Sequence, residues 1–245
     1  MKNSLKVLRD LRLFHRHMVF AEEGGRQRAG SDMTKGAEMV ILEDMGQKEE
    51  KHLIKNRWFY ENGIEVIRVP LPVGDYVIAD EKVMDVLERK GRRGMHPKKM
   101  DFLGTYNVSV DTKENIGEII NNICGKSHDR FRDECILAQN NGVRLYILVE
   151  NEDGVTCIDD LYQWQNPRLH RYNKIRYMHN LGKWQHIALP KRPPTKGETL
   201  AKAMVTMEKE YGVRFLFCHP VQAGAKVVEL LEGSCDDDRR AKVAG

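Results

Sequence analysis

The sequence predicts an α/β fold of three layers, with helices on both faces of a central mixed sheet. Short apolar runs of strand length alternate with helix-period segments from residue 39 to residue 231, and strands followed by helices pack as layers. Glycine and proline punctuate these segments, and no internal repeat or low-complexity tract interrupts them. At 245 residues the chain buries one sizeable core, and a second full domain is not expected. One domain is therefore expected over 39–235, with a basic extension and linker at 1–38 and a tail at 236–245.

Within residues 1–20, Leu5, Leu8 and Leu11 recur among Lys2, Lys6, Arg9, Arg12 and Arg16. This basic amphipathic pattern reads as a surface helix or an upstream extension rather than a transit peptide. Residues 22–36, rich in glycine and charge, read as a linker. A buried strand is expected at 39–42, a helix over 48–62 stopped by Asn62-Gly63, and a strand at 64–69. Pro70 and Pro72 keep the chain extended up to Gly74, where glycine permits a sharp turn. Residues 76–79 and 82–87 read as a hairpin, followed by a charged loop over 88–99 and a strand at 108–113. Ile116, Ile119, Ile120 and Ile123 repeat at helical spacing, and a second helix carries Arg130 to Glu134. Val143 to Val149 is an apolar strand run ending in Glu150. The chain closes with a helix at 199–211, a strand at 213–218 and a helix at 221–231.

Net charge is only +4, so its distribution matters more than its total. No run approaches the length of a membrane span, and the N-terminus lacks the apolar core of a signal peptide. The five cysteines show no paired short spacing of the zinc-binding kind. A soluble, cytoplasmic, reduced protein is the expectation.

The chemistry concentrates in Leu71-Pro72-Val73-Gly74-Asp75-Tyr76 and, further on, Val110-Asp111-Thr112-Lys113. Two carboxylates and a lysine are what metal-assisted phosphodiester hydrolysis needs. A cation must neutralise charge on the phosphoryl oxygens, and a donor must orient the attacking water. Asp75 and Asp111 offer hard oxygens suited to Mg2+, with Mn2+ as a substitute, and Lys113 can hold water or phosphate. On a strand the period of two puts Asp111 and Lys113 on one face, with Thr112 turned away. A second acid-x-Lys, Glu88-Arg89-Lys90, is a rival catalytic pair, but glycine and proline follow it directly. Asp75 taken alone would be an ordinary turn residue. Asp44 reads as a cap or supporting carboxylate. Arg130 and Glu134 are spaced for an intrahelical ion pair, and His128 reads as a surface residue.

The ordered set of turn, acid-x-Lys strand, two helices and Leu148-Val149-Glu150 resembles the XPF-type nuclease domain. That family is a branch of the PD-(D/E)xK, restriction-endonuclease-like superfamily, and this chain looks like a microbial or phage member. The resemblance spans roughly 39–150. It implies a restriction-endonuclease-like fold and a magnesium-dependent endonuclease. Asp75, Asp111 and the Thr112 carbonyl would hold the metal, Lys113 would act beside it, and Arg130, Glu134 and Glu150 would lie near the cleft. XPF-type nuclease domains commonly pair, so a homodimer or a nuclease partner protein is implied. Two departures stand out. The usual Asp-x-Arg-Glu becomes Glu43-Asp44-Met45-Gly46, which lacks the arginine, and Glu-Arg-Lys becomes Asp111-Thr112-Lys113.

Residues 161–197 contain no Asp or Glu but eight Lys or Arg, interleaved with Tyr162, Trp164, Tyr172, Tyr177 and Trp184. Arg168, Arg171, Lys174, Arg176 and Lys183 suit a phosphate backbone, while Trp164 and Trp184 offer rings to unpaired bases. Arg89, Arg92, Arg93 and Lys98 form a second basic candidate for DNA. A solvated basic segment with its aromatics on the core is the plainer alternative. The expectation is therefore an endodeoxyribonuclease for branched or partly single-stranded DNA in repair, recombination or phage DNA processing. A catalytically silent nucleic-acid-binding or scaffolding subunit is the alternative.

Overall fold

A computed structural model describes residues 39–46, 52–189 and 191–233. The amphipathic pattern of 1–20, the linker at 22–36 and the C-terminal tail lie outside the described residues. In chain order the elements are β1 (Val40–Asp44), α1 (Leu53–Glu61), β2 (Glu65–Val69), β3 (Tyr76–Ile78), α2 (Glu81–Arg92) and β4 (Val108–Lys113). They continue with α3 (Ile116–Cys124), α4 (His128–Asn140), β5 (Arg144–Glu150), α5 (Pro167–Asn180), α6 (Gly197–Tyr211), β6 (Arg214–Cys218) and α7 (Ala223–Leu231).

The six strands form one mixed sheet in the order β2-β1-β3-β4-β5-β6. β3 runs antiparallel to both neighbours, β1 and β4, while the other pairs are parallel. The C-terminal ends of β1, β4, β5 and β6 therefore share one sheet edge with the N-terminal end of β3. Parallel strands are buried on both faces, and here the two faces build separate cores. Leu42, Val77, Leu145, Ile147 and Phe217 meet α2, α3, α4 and α6 on one side. Ile41, Tyr76, Val110, Tyr146 and Leu148 meet Phe59 of α1 and Val227 and Leu230 of α7 on the other. The expected three-layer α/β architecture is the observed one.

One expectation is corrected. Residues 82–87 are not the second arm of a hairpin but part of α2, and Glu88 to Arg92 continue that helix instead of opening a loop. The apolar positions Val83, Val86 and Leu87 are buried at helical spacing, which a strand of period two does not produce. Asp80 caps the helix by accepting a hydrogen bond from the Val83 amide at 3.0 Å. The β-branched valines favour a strand only weakly against that cap and that period.

The acid-free stretch is also built on a helix. Asn166 caps α5, accepting from the Arg168 amide at 3.0 Å, and Pro167 occupies its first turn. Tyr172 and Ile175 anchor the helix by burial. The stretch returns to the body at Gly197, where a Cβ would stand 2.1 Å from the Leu161 carbonyl oxygen. Only glycine fits that approach. Among the described residues no helix is long and apolar enough to cross a membrane.

The α2 assignment is testable through its cap. Asp80→Ala should lower unfolding free energy by about 1 kcal/mol in urea titrations, whereas a hairpin at 82–87 would lose nothing from this change.

Candidate active site

The Pro-flanked approach to Asp75 is held at every available backbone N–H. Leu71 N–H donates to Asp44 Oδ1 at 2.9 Å, Val73 N–H to the Tyr106 hydroxyl at 3.3 Å, and Gly74 N–H to Glu134 Oε1 at 2.9 Å. Asp75 N–H donates to the Val110 carbonyl at 2.9 Å, and its own carbonyl accepts from Asp44 N–H at 2.8 Å. Gly74 has φ +71°, and a Cβ there would sit 2.1 Å from Ser109 Oγ. Glycine is thus required by both the left-handed backbone and the close approach of β4. This turn carries Asp75 to the end of β4, where Thr112 donates from both its amide and its hydroxyl to Asp75 Oδ2, each at 2.8 Å.

Asp111 and Lys113 project from β4 on the face that α4 covers. Lys113 Nζ hydrogen-bonds Asp111 Oδ1 at 2.7 Å and lies 2.6 Å from Oδ2. The ammonium also stands 5.4 Å from the centre of the Phe131 ring of α4, within cation–π range. Asp111 is 2 % and Lys113 7 % exposed. Burial pushes the Asp111 carboxyl well above its usual range, with Lys113 acting against that shift and Asp75 and Glu134 adding to it. Burial works to lower the Lys113 pKa, but the carboxylates of Asp111, Asp75 and Glu134 outweigh it and raise the lysine above its ordinary value. Lys113 and Asp111 are thus held together as a buried ion pair.

Two carboxylates and a charged lysine thus converge where β3 begins and β4 ends. Among the described residues no three His, Cys, Asp or Glu side chains converge as a preformed metal cage. A hard cation that keeps most of its waters needs only one or two carboxylates. Asp75 and Asp111, the latter with its two oxygens 2.7 and 2.6 Å from Lys113 Nζ, supply hard oxygen donors of that kind, so the donor set fits magnesium or manganese.

The sequence matches the family described as ERCC4 domain over residues 44–231. The chain belongs to the ERCC4-domain family, the XPF-type nuclease domains. Among solved structures it is similar to XPF from Aeropyrum pernix, at 14% identity and a TM-score of 0.43, covering 81% of this chain and 62% of that one. It is likewise similar to XPF from Aeropyrum pernix in complex with DNA, at 16% identity and a TM-score of 0.44, covering 82% of this chain and 69% of that one. The chain thus spans under two thirds of the first of these. No curated protein sequence matches it significantly.

In this ERCC4 domain the other sequence-expected residues fall in several places. Asp44 bonds the Leu71 amide and so supports the Asp75 approach. Glu134 turns toward Gly74 rather than pairing along its helix, while Arg130 is exposed. Glu150 lies on the opposite face of the sheet, ion-paired with Lys55 of α1. Glu88 and Lys90 are two residues apart on α2, about 200° around the helix, so they do not converge. Lys90 pairs with Asp101 at 2.7 Å and Glu88 with Arg92, while Arg89 pairs with Asp85 at 3.1 Å. Arg93 and Lys98 are exposed beyond the helix. His128 is a surface residue, 3.7 Å from Asp129.

On α5, Arg168, Arg171, Lys174 and Arg176 are exposed, as is Lys183 beyond it. Trp164 packs against the core and donates its indole N–H to Asp153 Oδ2 at 2.9 Å, while Trp184 has φ +54° and lies under Lys174 Nζ, 5.6 Å from the ring centre. The sequence reading missed Ser109 and Tyr106, which tie down the turn through Val73. Ser109 carried a signal, since 109, 111 and 113 share one face of a strand; Tyr106 carried none.

The buried ion pair has a stability consequence. Lys113→Ala should cost about 3–5 kcal/mol in urea unfolding because it strands a buried carboxylate, whereas the double variant Asp111→Asn/Lys113→Met should lose much less. Equal losses in the two variants would show that the charges are not coupled.

Proposed function

We propose that this ERCC4 domain is a magnesium-dependent endodeoxyribonuclease acting on branched or partly single-stranded DNA in repair, recombination or phage DNA processing. The observation that carries this reading is the buried Lys113 ammonium paired with Asp111 at 2.7 Å on the strand whose Thr112 holds the Asp75 carboxylate. Asp75, Asp111 and the Thr112 carbonyl would hold the metal, which supplies charge neutralisation and an activated water. Lys113, already desolvated, orients the attacking water or a phosphoryl oxygen without reorganising first. Asp44 and Glu134 act behind it by fixing the backbone that presents Asp75.

Substrate grip falls to α5 and the residues after it. Arg168, Arg171, Lys174, Arg176 and Lys183 give phosphate contacts from a segment free of acidic residues, with Arg89, Arg92, Arg93 and Lys98 as a secondary patch. Trp184 supplies a ring for an unpaired base. Trp164 is the weaker stacking candidate because the core and Asp153 occupy it. Dimerisation, with a second copy or a partner nuclease chain, is part of the same proposal. The four described cysteines are all free, as the proposed reducing cytoplasm would leave them.

Asp75→Asn is the cleaner test of the metal site, since Asp111→Asn also strips Lys113 of its partner. Asp75→Asn should abolish cleavage of forked DNA by several orders of magnitude with the melting curve little changed, and EDTA should do the same to the wild type. Cleavage that survives either treatment sinks the metal-site reading.

DNA contact is read separately, as binding in calcium across a salt series. Removing Arg168, Arg171, Lys174 and Arg176 together should flatten the slope of log affinity against log salt by about 3. Trp184→Ala should cost roughly 1–3 kcal/mol on single-stranded DNA with little change of slope. An unchanged slope in the folded four-charge variant would return α5 to a solvated surface.

A further inference from the structure

Thr112 lies between Asp111 and Lys113, and strand alternation turns its side chain to the other face. Its hydroxyl is nevertheless directed at the site: Oγ1 and the amide of the same residue both donate to Asp75 Oδ2, at 2.8 Å each. The contact is buried, with Asp75 3 % and Thr112 8 % exposed. Once the backbone of Asp75 is fixed by Val110 and Asp44, only its two side-chain torsions remain to set where the carboxylate points. Two charge-assisted bonds from one residue, converging on one oxygen, restrain both torsions, because either rotation breaks them. The strand does not require this hydroxyl. Valine has the same branched shape and the same preference for extended backbone.

We propose that the Thr112 hydroxyl is a positioning residue for Asp75, locking the carboxylate rotamer and with it the edge that Asp75 turns toward the cation. The assignment rests on the metal-site reading above and gives position 112 a side-chain role beyond its carbonyl. The role is one of geometry: Thr112 fixes a ligand and does not meet substrate.

The experiment compares wild type, Thr112→Val and Thr112→Ser in two readouts. Mn2+ affinity without DNA is followed by electron paramagnetic resonance of the free ion. Single-turnover and steady-state cleavage of forked DNA are measured across a Mg2+ series. Thr112→Val should weaken Mn2+ binding and raise the Mg2+ needed for half-maximal rate by about 10–100-fold, the usual cost of losing a group that orients a metal ligand. The KM for DNA should not move, and Thr112→Ser, which keeps the hydroxyl, should recover most of the metal affinity. Val and wild-type proteins with equal Mn2+ affinity would overturn the proposal, as would a Ser variant as defective as Val. A wild type that binds no Mn2+ and cleaves in EDTA has a different signature. It would bring down the metal-site reading, and the role of Thr112 with it.

Discussion

A lysine ammonium buried at the end of a sheet strand must be matched by negative charge, and the segments that meet β4 supply it. Removing Lys113 from water costs several kcal/mol unless well-placed carboxylates compensate. Asp111 meets it from the same strand, while Asp75 and Glu134 bring charge from a loop and from α4. The loop has little freedom to relax: Leu71, Val73, Gly74 and Asp75 each donate a backbone N–H to a different element. Gly74 is forced against Ser109. In the proposed nuclease, the preorganisation that a charged transition state needs and the compensation that a buried cation needs would be the same set of contacts.

The opposite face of the same sheet carries a second buried polar set. Glu43 of β1 accepts from Asn56 at 3.2 Å and lies 3.1 Å from His52 Nδ1, whose ring also bonds the Tyr76 hydroxyl. Burial raises the Glu43 pKa, with Arg68 and Asn56 opposing the shift. Lys55 pairs with Glu150 beside them. These contacts explain how α1 is held, since Lys55 and Phe59 are its buried residues and a helix normally docks by an apolar stripe. Leu53, Ile54 and Tyr60 on α1 are left exposed. Because Tyr76 follows Asp75 directly, this polar set braces β3 from behind through the bond of His52 to the Tyr76 hydroxyl.

Strands were the legible part of the sequence because most carry a short apolar or alternating run bounded by turn residues. The run at Val108 to Lys113 coincides with β4, and its parity placed Asp111 and Lys113 together. α2 was misread because Val83 and Val86 favour strand, although Asp80 and the spacing of Val83, Val86 and Leu87 carried the helical signal. Glu150 was expected near the cleft, but β4 and β5 pair with Lys113 opposite Val149, so Glu150 takes the parity of Thr112 and faces α1. That relation depends on the register between two strands, which no local pattern encodes. Glu134 meeting Gly74 and Thr112 meeting Asp75 were invisible for the same reason. They join segments distant in sequence, through bonds that exist only once the sheet has closed.

The acid-free segment shows how a helix of poor amphipathicity can still be a rigid platform. Tyr172 and Ile175 are the buried residues of α5, so apolar burial supplies little, and isolated helices of this length are marginal. Its order comes from its ends. Asn166, itself buried, caps the first turn and donates to the Thr195 carbonyl at 2.8 Å, tying the start of the excursion to its return. Gly197 closes against Leu161 and Trp164 immediately afterwards, and Trp164 is pinned by Asp153. Anchoring the segment at its base leaves the outer surface free of any packing duty, and that is where the arginines and lysines stand. For the DNA contact proposed above, such a surface has the advantage that its charges sit on an element that does not have to be ordered on binding. Capping at the ends, instead of burial along the helix, is how this sequence combines rigidity with an exposed positive face.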